Sequence, residues 1–191
     1  MQRDHIDFLS VSGHKLHAPK GVGFLYARHR EFLQPVILGG GQEQGLRSGT
    51  ENIPSIVGLG EAAAAAFEHP GILQKNAAKR RRFLNELTKK LGNVQINGCP
   101  YEGSKTVNLF FDGVDGETLL LLLSSRGVIV SAGSACCAHS AVPSHVLTAL
   151  GMPEERARSS IRVSFSNFTT DREIREAAQT IADSVKKLQR R

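Results

Sequence analysis

The sequence predicts an α/β protein in two parts, with the boundary near residue 71. Short apolar runs alternate with long amphipathic stretches, which is the pattern of mixed strands and helices. The length of 191 residues suits one domain or a pair of small ones. The motif His69-Pro70-Gly71 interrupts a helical stretch, because proline and glycine break helices. We therefore expect one part over 1–71 and an α+β domain over 72–191.

The first part is expected to hold short buried strands, a glycine-rich loop and a helix. The helix is favoured by the run of alanines between residues 62 and 66. Strands are predicted at residues 6–11, 22–27 and 36–38, the loop at 39–50 and the helix at 52–67.

The second part shows a different rhythm of strands and helices. Helices are predicted at 72–91, 116–126, 143–150 and from 171 onward, strands at 94–96, 106–111, 128–130 and 161–165, and a loop at 131–142. The sequence Thr170-Asp171-Arg172-Glu173 is a capping-box pattern that opens the last helix. That helix is expected to bury Ile174, Ala178, Ile181 and Val185.

The charge of the chain does not by itself identify a partner. The net charge is +6, and a basic balance can indicate nucleic-acid binding. The basic runs at 79–82 and 186–191 have no zinc-finger or aromatic RNA-binding motif beside them, so we interpret them as solvated helix faces. We expect neither nucleic acid nor a membrane as a partner, since no apolar stretch is long enough to span a bilayer and no secretory signal opens the chain.

The three cysteines predict no disulfide framework. Two of them, Cys136 and Cys137, are adjacent, and the third is Cys99. This pattern favours a reducing compartment, which we take to be the cytoplasm, with a mitochondrion or plastid left open. A zinc site built from Cys136, Cys137, His139 and His145 is a disfavoured alternative, because adjacent cysteines seldom ligate one tetrahedral ion without strain.

Lys15 is the residue whose setting is most informative. It lies in Ser12-Gly13-His14-Lys15, at the end of an expected buried strand and before a glycine-rich turn. Burial would favour the neutral amine, which can form an imine with a carbonyl such as that of pyridoxal phosphate. Ser12 and His14 are close enough in sequence to bind a phosphate. The alternative is a strand-capping lysine that points to solvent.

Four ordered segments resemble the class V pyridoxal-phosphate enzymes, and within them the NifS/IscS-type cysteine desulfurases. The resemblance extends over nearly the whole chain. The segments are Ser12-Gly13-His14-Lys15, residues 39–50 (GGGQEQGLRSGT), Ser131-Ala132-Gly133-Ser134-Ala135-Cys136 and Ser160-Ile161-Arg162-Val163-Ser164. It implies the C-terminal part of a fold-type I transferase, in which residues 1–71 belong to the large cofactor-binding domain and 72–191 form the small domain.

The resemblance also implies a set of site residues. Lys15 would bind pyridoxal 5'-phosphate, with Ser12 and His14 near its phosphate, while Thr50 would reach the phosphate of a neighbouring subunit in a homodimer. Arg162 would hold the α-carboxylate of the substrate L-cysteine, and Arg156 and Arg158 are alternatives for that role. Cys136 would take the sulfur as a persulfide and pass it to a sulfur-acceptor or scaffold protein.

Several alternatives stay open at this point. Cys137 competes with Cys136, although the distance to Pro143 favours Cys136 in the resembled family. Selenocysteine lyase shares the lysine and the cysteine. A third possibility is a catalytically silent fragment that dimerises or docks an acceptor, since the resemblance covers only the C-terminal half of the family's fold. A basic nucleic-acid binder is disfavoured.

Overall fold

The structure is a computed structural model that describes residues 5–68, 71–98, 104–132 and 143–190. Over these ranges the chain is α/β and divides into two compact units, Met1–Pro70 and Gly71–Arg191. The division lies next to the predicted boundary at residue 71. No helix in the described ranges is long and apolar enough to cross a membrane.

The first unit contains a hairpin and one long helix. Strands β1 (Phe8–Ser12) and β2 (Gly23–Ala27) pair antiparallel, with Ser12 opposite Gly23. A 3-10 turn, Gly13–Leu16, follows β1 directly, and helix α1 covers Ile53–Glu68. Shorter 3-10 turns occur at Arg30–Phe32 and Glu43–Gly45.

Two expectations for the first unit are wrong. The strand predicted at 36–38 is a bend whose apolar side chains are exposed, and it has no strand partner in the described chain. The predicted burial of the two hairpin strands is also wrong, because their residues are exposed or half-buried. A hairpin with only one neighbour for each strand has no second layer to cover it.

The second unit packs helices on one face of a three-stranded antiparallel sheet. The sheet order is β3 (Gln95–Ile96), β4 (Thr106–Phe110), β5 (Ser160–Ser164). The helices are α2 (Ile72–Leu91), α3 (Gly116–Ser124), α4 (His145–Ala149), α5 (Glu154–Arg158) and α6 (Asp171–Gln189). Residues 128–130, predicted as a strand, form none; a single bridge at Ser131 follows them.

The core of the second unit lies between α2, α3, α6 and one face of the sheet. Phe83 and Leu87 of α2 are fully buried and pack with Leu109, Ile161 and their neighbours. The predicted inner face of α6 is confirmed, since Ile174, Ala178, Ile181 and Val185 are at most 2% exposed. The predicted capping box is confirmed as well: Thr170 Oγ1 accepts from Glu173 N, and Glu173 Oε2 accepts from Thr170 N.

The basic run at 79–82 is only in part the solvated face that the sequence suggests, since Arg81 and Arg82 are exposed and the other two are not. Arg80 is only 4% exposed. Lys79 Nζ donates to the carbonyl oxygens of Ser166 and Asn167, both at 2.9 Å, and Arg82 pairs with Asp171. These side chains tie α2 to the connection between β5 and α6, so the run contributes to the fold.

Candidate functional site

Three exposed polar side chains are gathered at the turn that follows β1. Gly13 is buried, and its N–H donates to the Val22 carbonyl oxygen at 2.9 Å. A Cβ at Gly13 would lie 2.8 Å from that oxygen, so a side chain there would force the turn open. With Gly13 held inside, Ser12, His14 and Lys15 present an exposed hydroxyl, imidazole and amine. The Ser12 hydroxyl makes no capping hydrogen bond to the turn.

The exposure of Lys15 differs from the sequence expectation. Its position at the end of a strand predicted burial, whereas the described residues leave it exposed. The cause is the same as for the hairpin, which has no covering layer in this unit. The burial that the sequence predicts for Lys15 is therefore not supplied by the described part of the chain.

Helix α1 packs against the turn that carries Lys15. A Cβ at Gly58 would lie 3.0 Å from Pro19 Cδ, so the glycine permits close contact between the helix and the proline. Helix α1 begins shortly after the glycine-rich segment, which ends at Thr50. The contact of α1 with the Lys15 turn therefore connects the end of that segment to the turn through the helix. Thr50 itself is exposed.

The glycine-rich segment 39–50 is an ordered loop with an unusual backbone. Glu43, Gln44 and Gly45 are all left-handed, with φ of 50°, 59° and 84°. Gln42 Oε1 accepts a hydrogen bond from Gly49 N at 3.1 Å, which joins the first part of the loop to its last part. Within it Arg47 is exposed, so a cation and backbone amides are available to an anion.

Arg162 lies in the middle of β5 on the face of the sheet opposite the apolar core. It is half-buried, whereas its strand neighbours Ile161 and Val163 point into the core. Among the described residues no carboxylate pairs with Arg162, and its guanidinium approaches only Ser131, with Nη2 at 3.4 Å from Oγ. A half-buried arginine with an open fork can bind a carboxylate through two parallel hydrogen bonds.

The two alternative arginines are engaged elsewhere. Arg158 forms an exposed ion pair with Glu154 one turn earlier on α5, at 2.7 Å. Arg156 Nε donates to Asn97 Oδ1 at 2.8 Å, and its guanidinium lies 4.7 Å from the centre of the Phe110 ring. The geometry thus favours Arg162 over both for binding a carboxylate.

A polar network that the sequence analysis missed supports the same face of the sheet. Asn97 Nδ2 donates to Asn108 Oδ1 at 2.7 Å and to Ser160 Oγ at 2.8 Å. Ser160 Oγ donates in turn to the Arg156 carbonyl oxygen at 2.6 Å. Asn108 lies opposite Arg162 in the strand pairing. Asn97 precedes a glycine and resembles an ordinary turn residue, so only the pairing of β3 with β4 identifies its role.

The candidate nucleophile falls outside the described residues. Cys136, its rival Cys137, Cys99 and His139 all lie outside them, and of the zinc alternative only His145 is described. Within the described ranges no group of three or more metal-binding side chains could hold an ion. The structure does describe the start of the cysteine-bearing segment, because Ser131 is paired with Arg162.

Comparison with known proteins places the chain in a family. The model of the class-V aminotransferases matches residues 1–176. The chain belongs to the class-V aminotransferase family. The family depends on pyridoxal phosphate in general, which agrees with the lysine-bearing turn.

The relatives of the chain are named as cysteine desulfurases. It is 41% identical to cysteine desulfurase 2 of Trichormus variabilis over 98% of its length and 48% of that protein. It is 44% identical to the putative cysteine desulfurase IscS 1 of Bacillus subtilis, over 98% of the chain and 50% of that protein. The chain thus spans about half the length of the curated relatives it matches.

Solved structures confirm the predicted fold class. A NifS-like protein matches 97% of this chain and 48% of its own length, with a TM-score of 0.83 and 32% identity. The cysteine desulfurase CsdA of Escherichia coli, at 23% identity and a TM-score of 0.69, supports the fold alone. Both structures extend well beyond the region that this chain matches.

The donors at the Lys15 turn fit a cofactor that carries both an aldehyde and a phosphate. An amine is the group with which an aldehyde condenses, and a hydroxyl and an imidazole beside it are suitable phosphate donors. The three side chains leave the end of β1 and the turn after it, whose glycine is hydrogen-bonded to Val22. The residues present are therefore compatible with pyridoxal phosphate.

Proposed function

We propose that this chain contributes the Lys15 turn, the Cys136 segment and Arg162 to a pyridoxal-phosphate-dependent cysteine desulfurase. The observation that carries the proposal is Arg162: a half-buried guanidinium without a carboxylate partner in the described chain, bridged to the start of the segment that bears Cys136. A guanidinium open to a carboxylate, together with a thiol, suits a substrate that has a carboxylate to be held and a sulfur to be removed. The names of the relatives support the same substrate, L-cysteine.

Each residue has a distinct task in this proposal. Ser12 and His14 bind the cofactor phosphate, and Thr50 binds that of a second copy of the chain in a homodimer. Lys15 holds the cofactor and then moves a proton at the substrate α-carbon. Arg162 fixes the α-carboxylate. When bound, pyridoxal phosphate supplies an electron sink for the substrate carbons.

The sulfur transfer balances without an external oxidant. The Cys136 thiolate attacks the substrate sulfur, so an S–S bond forms as the Cβ–S bond of cysteine breaks. The β-carbon takes a proton and leaves as part of alanine, and Cys136 keeps the sulfur as a persulfide. A sulfur-acceptor protein then receives it, for iron-sulfur cluster assembly or another sulfur-transfer route.

Reductive trapping tests the lysine assignment. Incubation with pyridoxal phosphate, reduction with borohydride and peptide mass spectrometry are expected to place the cofactor on Lys15. Lys20 is the matched control, since it is an exposed lysine five residues away on the same connection. Labelling that is equal at Lys15 and Lys20, or unchanged in Lys15→Ala, would show that the amine is not a specific cofactor site.

Turnover tests the thiol assignment. Alanine and sulfide released from L-cysteine are measured for the chain alone and for the chain co-expressed with the half of the Bacillus subtilis relative that it does not match. Cys136→Ser is expected to abolish sulfide release, whereas Cys137→Ser retains it. Loss of activity in Cys137→Ser alone would transfer the role to Cys137, and a preference for L-selenocysteine would identify a lyase instead.

A second candidate, an interaction fragment without activity of its own, is favoured by the surface of the first unit. Large apolar side chains are exposed there, including Phe8, Leu25 and Ile53 at 49%, 55% and 58%. If the chain traps no cofactor alone but does so with the co-expressed half, the fragment needs a partner polypeptide for function.

A further inference from the structure

The bridge between Ser131 and Arg162 joins two parts of the proposed site that are 31 residues apart. Arg162 N donates to the Ser131 carbonyl oxygen at 2.6 Å, and Ser131 N donates to the Arg162 carbonyl oxygen at 3.1 Å. In an antiparallel sheet, both backbone groups of one residue point to the same side. Those of Arg162 therefore point away from β4 and would lie unpaired at the edge of the sheet without Ser131.

The side chains of the two residues also meet. Ser131 Oγ is 3.4 Å from Arg162 Nη2, which is long for an N–H···O hydrogen bond. A neutral hydroxyl at this distance restricts the rotation of the guanidinium but leaves its charge unneutralised. The remaining N–H donors of Arg162 have no acceptor among the described residues, so they stay available to an incoming carboxylate.

We propose that Ser131 is a positioning residue that orients Arg162 for the α-carboxylate of the substrate amino acid. Its hydroxyl holds the guanidinium, and its backbone fixes the point at which the segment bearing Cys136 leaves the sheet. The same residue thereby sets where the carboxylate is held and where the thiol segment begins. This inference rests on the proposed function.

The kinetic signature of such a role is a change in KM. An interaction with the α-carboxylate is made equally in the ground state and in the transition state, so its loss raises KM and leaves kcat nearly unchanged. For Ser131→Ala in the holoenzyme we expect KM for L-cysteine to rise about 5- to 10-fold, the scale of one ordinary hydrogen bond. Ser131→Thr keeps the hydroxyl and is expected to restore KM to within about threefold of the wild type.

Ser164 provides the matched control on the same strand. It lies two residues after Arg162 on the same face of β5, and its hydroxyl meets Thr106 Oγ1 at 3.2 Å. Ser164→Ala removes an equivalent hydroxyl without touching Arg162, so KM is expected to stay at the wild-type value. Equal effects of Ser131→Ala and Ser164→Ala on KM, or no effect of Ser131→Ala, would overturn the proposal.

A measurement without the cofactor separates this inference from the proposed function. The Arg162 Nε–H resonance of the full chain is followed by NMR during titration with L-alanine, which has the same carboxylate. In Ser131→Ala we expect a lower order parameter at Arg162 Nε and a weaker response to L-alanine, whereas exchange of the Arg162 amide stays slow because the backbone bridge persists. If the wild type shows no turnover but these NMR differences hold, the proposed function fails and the positioning role stands. If Arg162 is equally ordered and equally responsive in both proteins, the positioning role fails whatever the turnover.

Discussion

Gly116 has the closest backbone neighbours of the described glycines in the second unit. It is the buried first residue of α3, and a Cβ there would lie 2.4 Å from the Arg158 carbonyl oxygen and 3.1 Å from that of Ser160. Both obstacles are backbone atoms, one at the end of α5 and one at the start of β5, so neither can swing aside. The helix can begin at this point only because the residue has no side chain.

We predict that Gly116→Ala lowers the free energy of unfolding by about 2 kcal/mol or more, since overpacking against backbone costs roughly 1–3 kcal/mol. Gly60→Ala is the control, for which we expect the free energy of unfolding to rise. Gly60 lies within α1 with open space around it, and alanine there should stabilise the helix by about 0.5–1 kcal/mol. Urea unfolding of each variant, followed by circular dichroism, gives both values. A neutral Gly116→Ala would mean that α3 can move away from β5.

The connection between β5 and α6 is hydrogen-bonded to helix α2. Lys79 donates to the carbonyl oxygens of Ser166 and Asn167, and Asn76 Nδ2 donates to Asn167 Oδ1 at 3.3 Å. The Ser166 carbonyl oxygen also accepts a hydrogen bond from Thr169 N at 3.2 Å, so the ammonium reinforces a turn that is already hydrogen-bonded. One ammonium group therefore closes the end of the strand that carries Arg162.

Removing that ammonium should cost more than removing a neighbouring charge. Lys79→Met is expected to lower the free energy of unfolding by about 2 kcal/mol, the scale for hydrogen bonds made by a charged group. Arg81→Met, two residues away on the exposed side of α2, is expected to change it by less than about 0.5 kcal/mol. Denaturant unfolding of the two variants measures both changes. Equal decreases in the free energy of unfolding would contradict a role specific to Lys79.

The capping box of α6 predicts a dependence of stability on pH. Hydrogen bonds from the Thr170 backbone N–H, and then from its hydroxyl, lower the pKa of Glu173 below its ordinary value. A carboxylate whose pKa is lowered on folding stabilises the fold above its unfolded pKa, about 4.3, and that contribution is lost as pH falls through the folded value. Glu173→Gln can keep the box but cannot titrate. We expect the wild type to lose its advantage over Glu173→Gln as pH falls below about 4.3; a difference that is constant with pH would contradict the assignment.

At the scale of the whole molecule, local patterns were predictable and long-range ones were not. The inner face of α6 and its capping box follow from periodicity and from four adjacent residues. The apolar segments at 36–38 and 128–130 have the composition of strands but find no strand partner in the described chain, and pairing depends on residues far away in sequence. The exposure of Lys15, the network around Asn97 and the bridge from Ser131 to Arg162 depend on such distant neighbours in the same way.

Apolar burial is distributed very unevenly between the two units. The single hydrophobic cluster of the described chain lies wholly in the second unit, between Phe83 and Val185. In the first unit only Ala18 and Leu59 are buried hydrophobic residues among those described. Since burial of apolar surface is the main favourable term in folding, the second unit should hold most of the stability of the chain.

We therefore predict that the two units open with different free energies. Amides of α2, α6, β4 and β5 should exchange with solvent at the rate set by global unfolding, while those of β1 and β2 should exchange at least about 100-fold faster through local opening. Hydrogen exchange followed by mass spectrometry measures both sets in one experiment. An excised chain of residues 71–191 should still unfold cooperatively, because its core is complete within itself. Equal protection of β1 and β4 would show that the first unit is stabilised by more than its own buried residues. Loss of cooperative unfolding in 71–191 would show that the second unit depends on the first.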